Sequence, residues 1–211
     1  APEKPGAMDF IRKVKEKVIV SIAHTEADYD TALEAFEEGA SHVTHLYNAM
    51  PQLTHRAPGV IGAAMDNPGV NVELICDGVH LHPAVVRASF KLFGGERIVL
   101  VSDSMRACGL SDGEYTLGGQ QVFVKGKTAA LVDGTIAGSV TNLFDCMKTA
   151  VKDMHIRLED AIASATMNPA KIIGIFDQTG SISPGKYADL VLMDKSLNIK
   201  AVFINGKLVE G

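Results

Sequence analysis

Along the first two-thirds of the chain, apolar and polar positions fall into two alternating patterns. Short runs that are apolar on both faces occur at Val18 to Ala23 (VIVSIA), His42 to Leu46 (HVTHL), Val70 to Cys76 (VNVELIC) and Arg97 to Ser102 (RIVLVS). Such runs predict strands of a parallel sheet covered on both sides. Between them lie segments with helical spacing. From Asp28 to Gly39, the positions Ala32, Leu33, Ala35 and Phe36 form one apolar face, and Gly39 predicts the C-terminal cap. Thr25, three residues ahead of Asp28, predicts a capping box with Asp in place of Glu. HPAVVRASFKLFGG repeats the scheme, with Pro83 near the helix start and Gly94 beyond its end. Repeated strand–helix units of this length predict a parallel α/β sheet or a (βα)8 barrel.

From Glu114 onward the pattern changes. Short β-type runs with glycine turns predict a small antiparallel excursion over about 114–135. VTNLFDCMKTAVKDM and LEDAIASATMNPAKIIG then predict two helices. The tail predicts short strands, with Asn205-Gly206 as a hairpin turn. The expected division is 1–178 for the α/β body and 179–211 for the C-terminal strands, with no low-complexity linker between them.

Composition narrows the function classes. The net charge is −5, and no Lys/Arg stripe with interleaved aromatics appears, so nucleic acid is not an expected partner. No apolar run approaches the roughly 20 residues that span a bilayer, and no membrane partner is expected. Cys76, Cys108 and Cys146 are odd in number, far apart and without a CxxC pair. They read as core or loop thiols in a reducing cytoplasm.

The candidate chemistry lies where the apolar runs end. His24 follows the first run, His45 closes the second, Asp77 and His80 follow the third, and Asp103 follows the fourth. The C-terminal ends of parallel strands are where α/β sheets and barrels bind ligands and do chemistry. A lone His beside a strand is usually structural; four successive strands delivering His or Asp to one edge favour a site. His24 and His45 arrive on adjacent strands and suit a zinc or iron ion. Asp103 is the expected general base toward water, then the acid toward a leaving amine. His80 is placed to polarise a substrate carbonyl. Metal-assisted hydrolysis is the reaction class this set favours. Asp77 before Gly78 reads equally well as a turn former. His82, before Pro83, reads as a helix entry, and His42 as a structural residue ahead of its strand. Arg56, in the loop MPQLTHRAPG, reads either as an anion contact or as a solvated charge.

SIAHT, THLYNAMPQLTHRAPGVIGAAMD, CDGVHLHPAVVR, LVSDSM, GTIAGS, NPAKIIG and GSISPGKYADLVLMD together resemble the N-acetylglucosamine-6-phosphate deacetylases of the amidohydrolase superfamily. HLYNAM with HRAPG is specific to that group, whereas the GSISPGKYADLVL tail is common to amidohydrolases. The resemblance implies an α/β fold: the C-terminal part of a (βα)8 TIM-type barrel with strands of a small β-sandwich at the C-terminus. It implies hydrolysis of the acetamide of N-acetylglucosamine 6-phosphate, with a divalent metal, zinc before iron. It matches His24 and His45 to metal ligands, Asp103 to the acid/base and His80 to a substrate contact. It matches Asn48 and the Ala49 backbone to the sugar-phosphate contact, and Ile136, Ala137, Gly138 and Ser139 to a loop lining the sugar. Arg56 matches a phosphate-binding arginine, which such enzymes supply across a homodimer interface.

Members of the group are much longer and carry a metal-binding Glu in a LEGP-type motif. That motif is absent from these 211 residues, and Glu3 in APEK does not match it. The expectation is therefore a C-terminal portion whose metal site lacks its carboxylate and whose sheet has an open edge. The competing readings are another amidohydrolase acting on a cyclic amide, or an inactive α/β module.

Overall fold

The computed structural model describes residues 1–210. Four parallel strands, β1 (Val20–Ile22), β2 (Ala40–Val43), β3 (Asn71–Ile75) and β4 (Ile98–Val101), form one sheet in the order β1-β2-β3-β4. Spatial order follows chain order with no reversal. Right-handed crossovers in such a sheet carry the connecting helices to one side, as along the arc of a barrel and unlike a doubly wound sheet.

The helices are α1 (Ala7–Val14), α2 (Tyr29–Glu38), α3 (Gly59–Asp66) and α4 (Pro83–Phe93). The cap of α2 is Asp28, whose carboxylate accepts from the Thr31 N–H at 2.9 Å. The expected Thr25 box does not form. Thr25 is buried, and its hydroxyl donates to Glu3 and accepts from the Ala27 N–H. Helix α4 starts as expected, with His82 Nδ1 accepting from the Ala84 N–H and Pro83 in the first turn, where its missing N–H costs nothing.

The antiparallel excursion runs to Ser139, through β5 (Gly113–Leu117), β6 (Gln120–Lys125), β7 (Thr128–Leu131) and β8 (Ile136–Ser139), in the order β5-β6-β7-β8. It has its own small core of Met105, Ala107, Val122, Val124, Ala129 and Ala137. Three helices follow rather than two: α5 (Leu143–Lys152), α6 (Leu158–Ala165) and α7 (Met167–Ile172). The second expected helix breaks at Thr166 (φ −135°). Pro169 has no N–H to bond back to Ala165, so the chain restarts with a new first turn. The tail forms β9 (Leu190–Met193), β10 (Ile199–Ile204) and β11 (Lys207–Glu210), in the order β11-β10-β9. Asn205 (φ 49°) and Gly206 (φ 75°) make its hairpin turn, the primed geometry that an Asn-Gly pair favours.

The main core joins the four parallel strands to their helices through Ile22, Val43, Val72, Leu74, Ile98 and Leu100, all but fully buried. Two polar ties close its lower layers. Arg97 donates to the carbonyls of Val70, Asn67 and Ala64, and the Asn168 amide donates to Gly95 and Ile98 at 2.7 Å each. Each ties together backbone carbonyls at the strand–helix connections. Cys76 and Cys146 are buried free thiols. Burial pushes Cys146 up to about 12 and Cys76 higher still, so both stay protonated and inert.

Candidate active site

Sheet register assembles the site. Ile22 pairs with Val43 at the end of β1–β2, and Ile75 pairs with Val101 at the end of β3–β4. Two residues past the first pair are His24 and His45; two residues past the second are Asp77 and Asp103. Adjacent strands lie about 4.8 Å apart, so each duo leaves the sheet side by side. The His24 and His45 rings meet edge to face, with Nε2 to Nε2 at 3.0 Å.

These residues leave their strands in an unusual conformation. Among the described residues eight non-glycines have positive φ, and five are here: His24 (44°), His45 (32°), Tyr47 (77°), Ala49 (50°) and Asp103 (49°). Each such residue costs on the order of 1–3 kcal/mol, a strain that clusters at functional sites. It turns the side chain sharply out of the strand direction. Surrounding bonds hold the strained loop. Glu73, on β3, accepts from the His45 N–H with its carboxylate and from the Leu46 N–H with its carbonyl. The Ala49 carbonyl accepts from the Thr25 N–H, tying the loop after β2 to the end of β1.

His42 lies inside β2, not ahead of it. It is buried, and its Nε2 bonds Glu73 at 3.0 Å. The strand starts ahead of its apolar run, since Ala40 and Ser41 already belong to the sheet. The same Glu73 carboxylate therefore joins His42 to the backbone of His45. Its pKa is lowered despite burial, because His42 and the His45 N–H favour the charged form.

The third strand end is built around Asp77, which is completely buried. Its Oδ1 accepts from the Val79 and His80 N–H groups at 2.8 and 2.9 Å, and its Oδ2 faces His80 Nδ1 at 2.7 Å. Ser139 Oγ donates to the same Oδ2 at 2.9 Å. Burial opposes the charge, but the His80 ring and the two N–H groups overcome it and hold Asp77 at about 2. A carboxyl with a folded pKa below its unfolded value, about 3.9, contributes stability above that value and loses it as pH falls toward 2. The urea midpoint is expected to drop between pH 5 and pH 2.5, and to drop less in Asp77→Asn.

The remaining expected residues are placed as follows. Asp103 is exposed past β4, and its carbonyl accepts from the Ser139 N–H. Asn48 is half-buried and donates its amide to the His45 and Leu46 carbonyls. Ala49 and Arg56 are exposed, and Arg56 makes no ion pair among the described residues. Ile136 to Ser139 is strand β8, not a loop. The resemblance matched this stretch to a loop, yet in the strand Gly138 serves a close approach. A Cβ there would sit 3.3 Å from the Asp103 carbonyl, and its φ is 82°. Ser139 is buried, with its hydroxyl committed to Asp77.

The two imidazoles fit a shared metal ion. Nitrogen ligands about 2.0–2.1 Å from one zinc, at roughly 90–110° to each other, lie about 2.9–3.4 Å apart, and His24 and His45 Nε2 are 3.0 Å apart. His45 Nδ1 is buried without a hydrogen-bond partner, so the ring's only polar engagement is through the nitrogen that faces His24. Among the described residues no group of three or more His, Cys, Asp or Glu is gathered for a metal. A catalytic zinc takes three protein ligands, and the described residues bring two imidazoles together here.

Comparison with known proteins gives the family. The Amidohydrolase family model matches residues 6–209. The chain belongs to the amidohydrolase family. It is 42% identical over 209 residues to the N-acetylglucosamine-6-phosphate deacetylase of Bacillus subtilis (strain 168), covering 99% of this chain and 53% of that protein. It is 37% identical over 211 residues to the N-acetylgalactosamine-6-phosphate deacetylase of Escherichia coli O157:H7, covering 100% of this chain and 56% of that protein. The crystal structure of N-acetylglucosamine-6-phosphate deacetylase from Pasteurella multocida superimposes with a TM-score of 0.93 at 32% identity, over 100% of this chain and 55% of that one. The chain thus spans about half the length of the relatives it matches.

Proposed function

We propose that the protein carrying this chain is a metal-dependent deacetylase that hydrolyses the acetamide of N-acetylglucosamine 6-phosphate to glucosamine 6-phosphate and acetate, in amino-sugar catabolism. The observation that carries the reading is the register-matched His24–His45 pair, with ring nitrogens 3.0 Å apart at the ends of neighbouring parallel strands. High similarity to deacetylases over the whole chain supplies the substrate. His24 and His45, with a carboxylate from outside these 211 residues, would hold zinc or iron. Such an ion, when bound, polarises the amide carbonyl and lowers the pKa of water to about 7.

The chain's own residues do the rest. Asp103 takes a proton from the attacking water as its oxygen bonds to the acetyl carbon. The same carboxyl then gives that proton to the sugar nitrogen as the carbon–nitrogen bond breaks. His80 contacts the substrate next to the reacting acetamide. Asn48 and the Ala49 backbone meet the phosphate end, and Ile136 to Gly138 border the sugar. Arg56 is exposed and unpaired among the described residues, which supports a role on the phosphate, across a homodimer interface. Among the described residues no helix is long and apolar enough to cross a membrane. A phosphorylated sugar as substrate is what supports a cytoplasmic enzyme.

The experiment is acetate release from N-acetylglucosamine 6-phosphate before chelation, after EDTA, and after zinc is returned. Loss and recovery are expected; release that EDTA does not touch would overturn the metal role. The N-acetylgalactosamine epimer belongs in the same assay, because the E. coli relative is similar over the entire chain. Arg56→Ala is expected to raise KM for the phosphorylated substrate about 10–100-fold, the worth of one charge-assisted hydrogen bond, with kcat changed much less. An unphosphorylated sugar should show no such difference.

A further inference from the structure

We propose that Asp77 and Ser139 are positioning residues that lock the ring of His80 and fix it relative to Asp103. This rests on the deacetylase reading for its functional consequence, though the lock itself is a property of the fold. Asp77 is fully buried and Ser139 nearly so, and neither presents a free polar atom to a substrate. Ser139 was expected to line the sugar; its hydroxyl instead donates to Asp77 Oδ2 and accepts from the Thr141 N–H at 3.1 Å.

The same oxygen, Oδ2, receives His80 Nδ1 at 2.7 Å. An ionised carboxylate is an acceptor only, so the His80 proton must sit on Nδ1. Nε2 is then an acceptor, suited to an N–H or O–H of the substrate, as in sites where a buried carboxylate sets the tautomer of a working histidine. The Asp77 backbone loop adds rigidity, because Oδ1 holds the Val79 and His80 N–H groups. Meanwhile the Ser139 N–H donates to the Asp103 carbonyl at 2.9 Å, and the Ser139 carbonyl accepts from the Met105 N–H at 2.8 Å. Ser139 thus grips Asp77 with its side chain and both sides of the Asp103 turn with its backbone. One serine on β8 joins the end of β3 to the end of β4. Gly138 is what allows the approach, since its missing Cβ would press on the Asp103 carbonyl.

Nitrogen-15 NMR of the His80 ring in the 211-residue chain tests the lock without substrate or metal. The wild-type ring is expected to show the Nδ1–H form. Asp77→Asn, which replaces the obligate acceptor with a group that also donates, is expected to shift the ring toward the Nε2–H form. Ser139→Ala should broaden or partly shift the same signals while thermal unfolding remains cooperative. Ring signals unchanged in both variants would overturn the proposal. If Asp77→Asn fails to fold, Ser139→Ala decides alone. In the protein carrying this chain, Asp77→Asn should lower kcat for acetate release about 10²–10⁴-fold with KM changed less than about threefold. A tautomer shift with kcat unaltered would overturn the functional half of the inference. An absence of acetate release in the wild-type protein would instead sink the deacetylase reading and leave the lock standing.

Discussion

Asp103→Asn, in the protein that carries this chain, is expected to lower acetate release from N-acetylglucosamine 6-phosphate by about 10²–10⁴-fold, the usual worth of a positioned acid/base. KM should change little, because the carboxylate acts on water and the leaving nitrogen rather than on the sugar. Circular dichroism and unfolding temperature should stay close to wild type. Asp103 is exposed, and its structural bond is made by its backbone carbonyl, which Asn retains. Its positive φ of 49° is one that Asn adopts about as readily as Asp. A variant with kcat within about threefold of wild type would remove Asp103 from the proton transfers and leave another group to carry them.

Leu74→Ala is expected to destabilise the fold by about 2–5 kcal/mol. Leu74 is fully buried at the middle of β3, which pairs with β2 on one side and β4 on the other. Its register partner Leu100 on β4 is itself a buried strand residue with little freedom to collapse into the space left behind. For a domain with a total stability of about 5–15 kcal/mol, that loss should lower the urea midpoint visibly, or prevent recovery of folded protein. Leu208→Ala on β11 is the matched control. Leu208 is 60% exposed, so its truncation should change stability by no more than about 0.5 kcal/mol. Equal effects at the two positions would mean that the parallel sheet is not the core on which folding depends.

Residue pattern alone was enough for the strand–helix alternation and for the edge on which chemistry would gather. The runs ending at Ala23, Leu46, Cys76 and Ser102 were apolar on both faces, and only a covered parallel sheet accommodates such runs. Chain order then sent His24, His45, Asp77 and Asp103 to one side, whatever the details of pairing. Where the sequence reading went astray, a local signal was outweighed by a partner far along the chain. Thr25 looked like a cap, but Glu3 takes its hydroxyl, and Asp28 caps the helix alone. The resemblance made IAGS a loop, but β7 and the Asp103 turn hold it as a strand. Asp77 read equally as a turn former and a site residue; its two oxygens divide between the turn and the His80 ring.

The sequence by itself determined the fold class, the family and the residue types available for catalysis, because these follow from periodicity and from short contiguous motifs. Only the tertiary structure decided which of those residues meet. Register is set by hydrogen bonds between strands 20 to 30 residues apart, and a shift of one residue turns every side chain to the other face. That register put His24 beside His45 with nitrogens 3.0 Å apart, and Asp77 beside the turn of Asp103. It also committed Ser139, 62 residues from Asp77, to a buried hydrogen bond, a pairing that no spacing along the chain encodes.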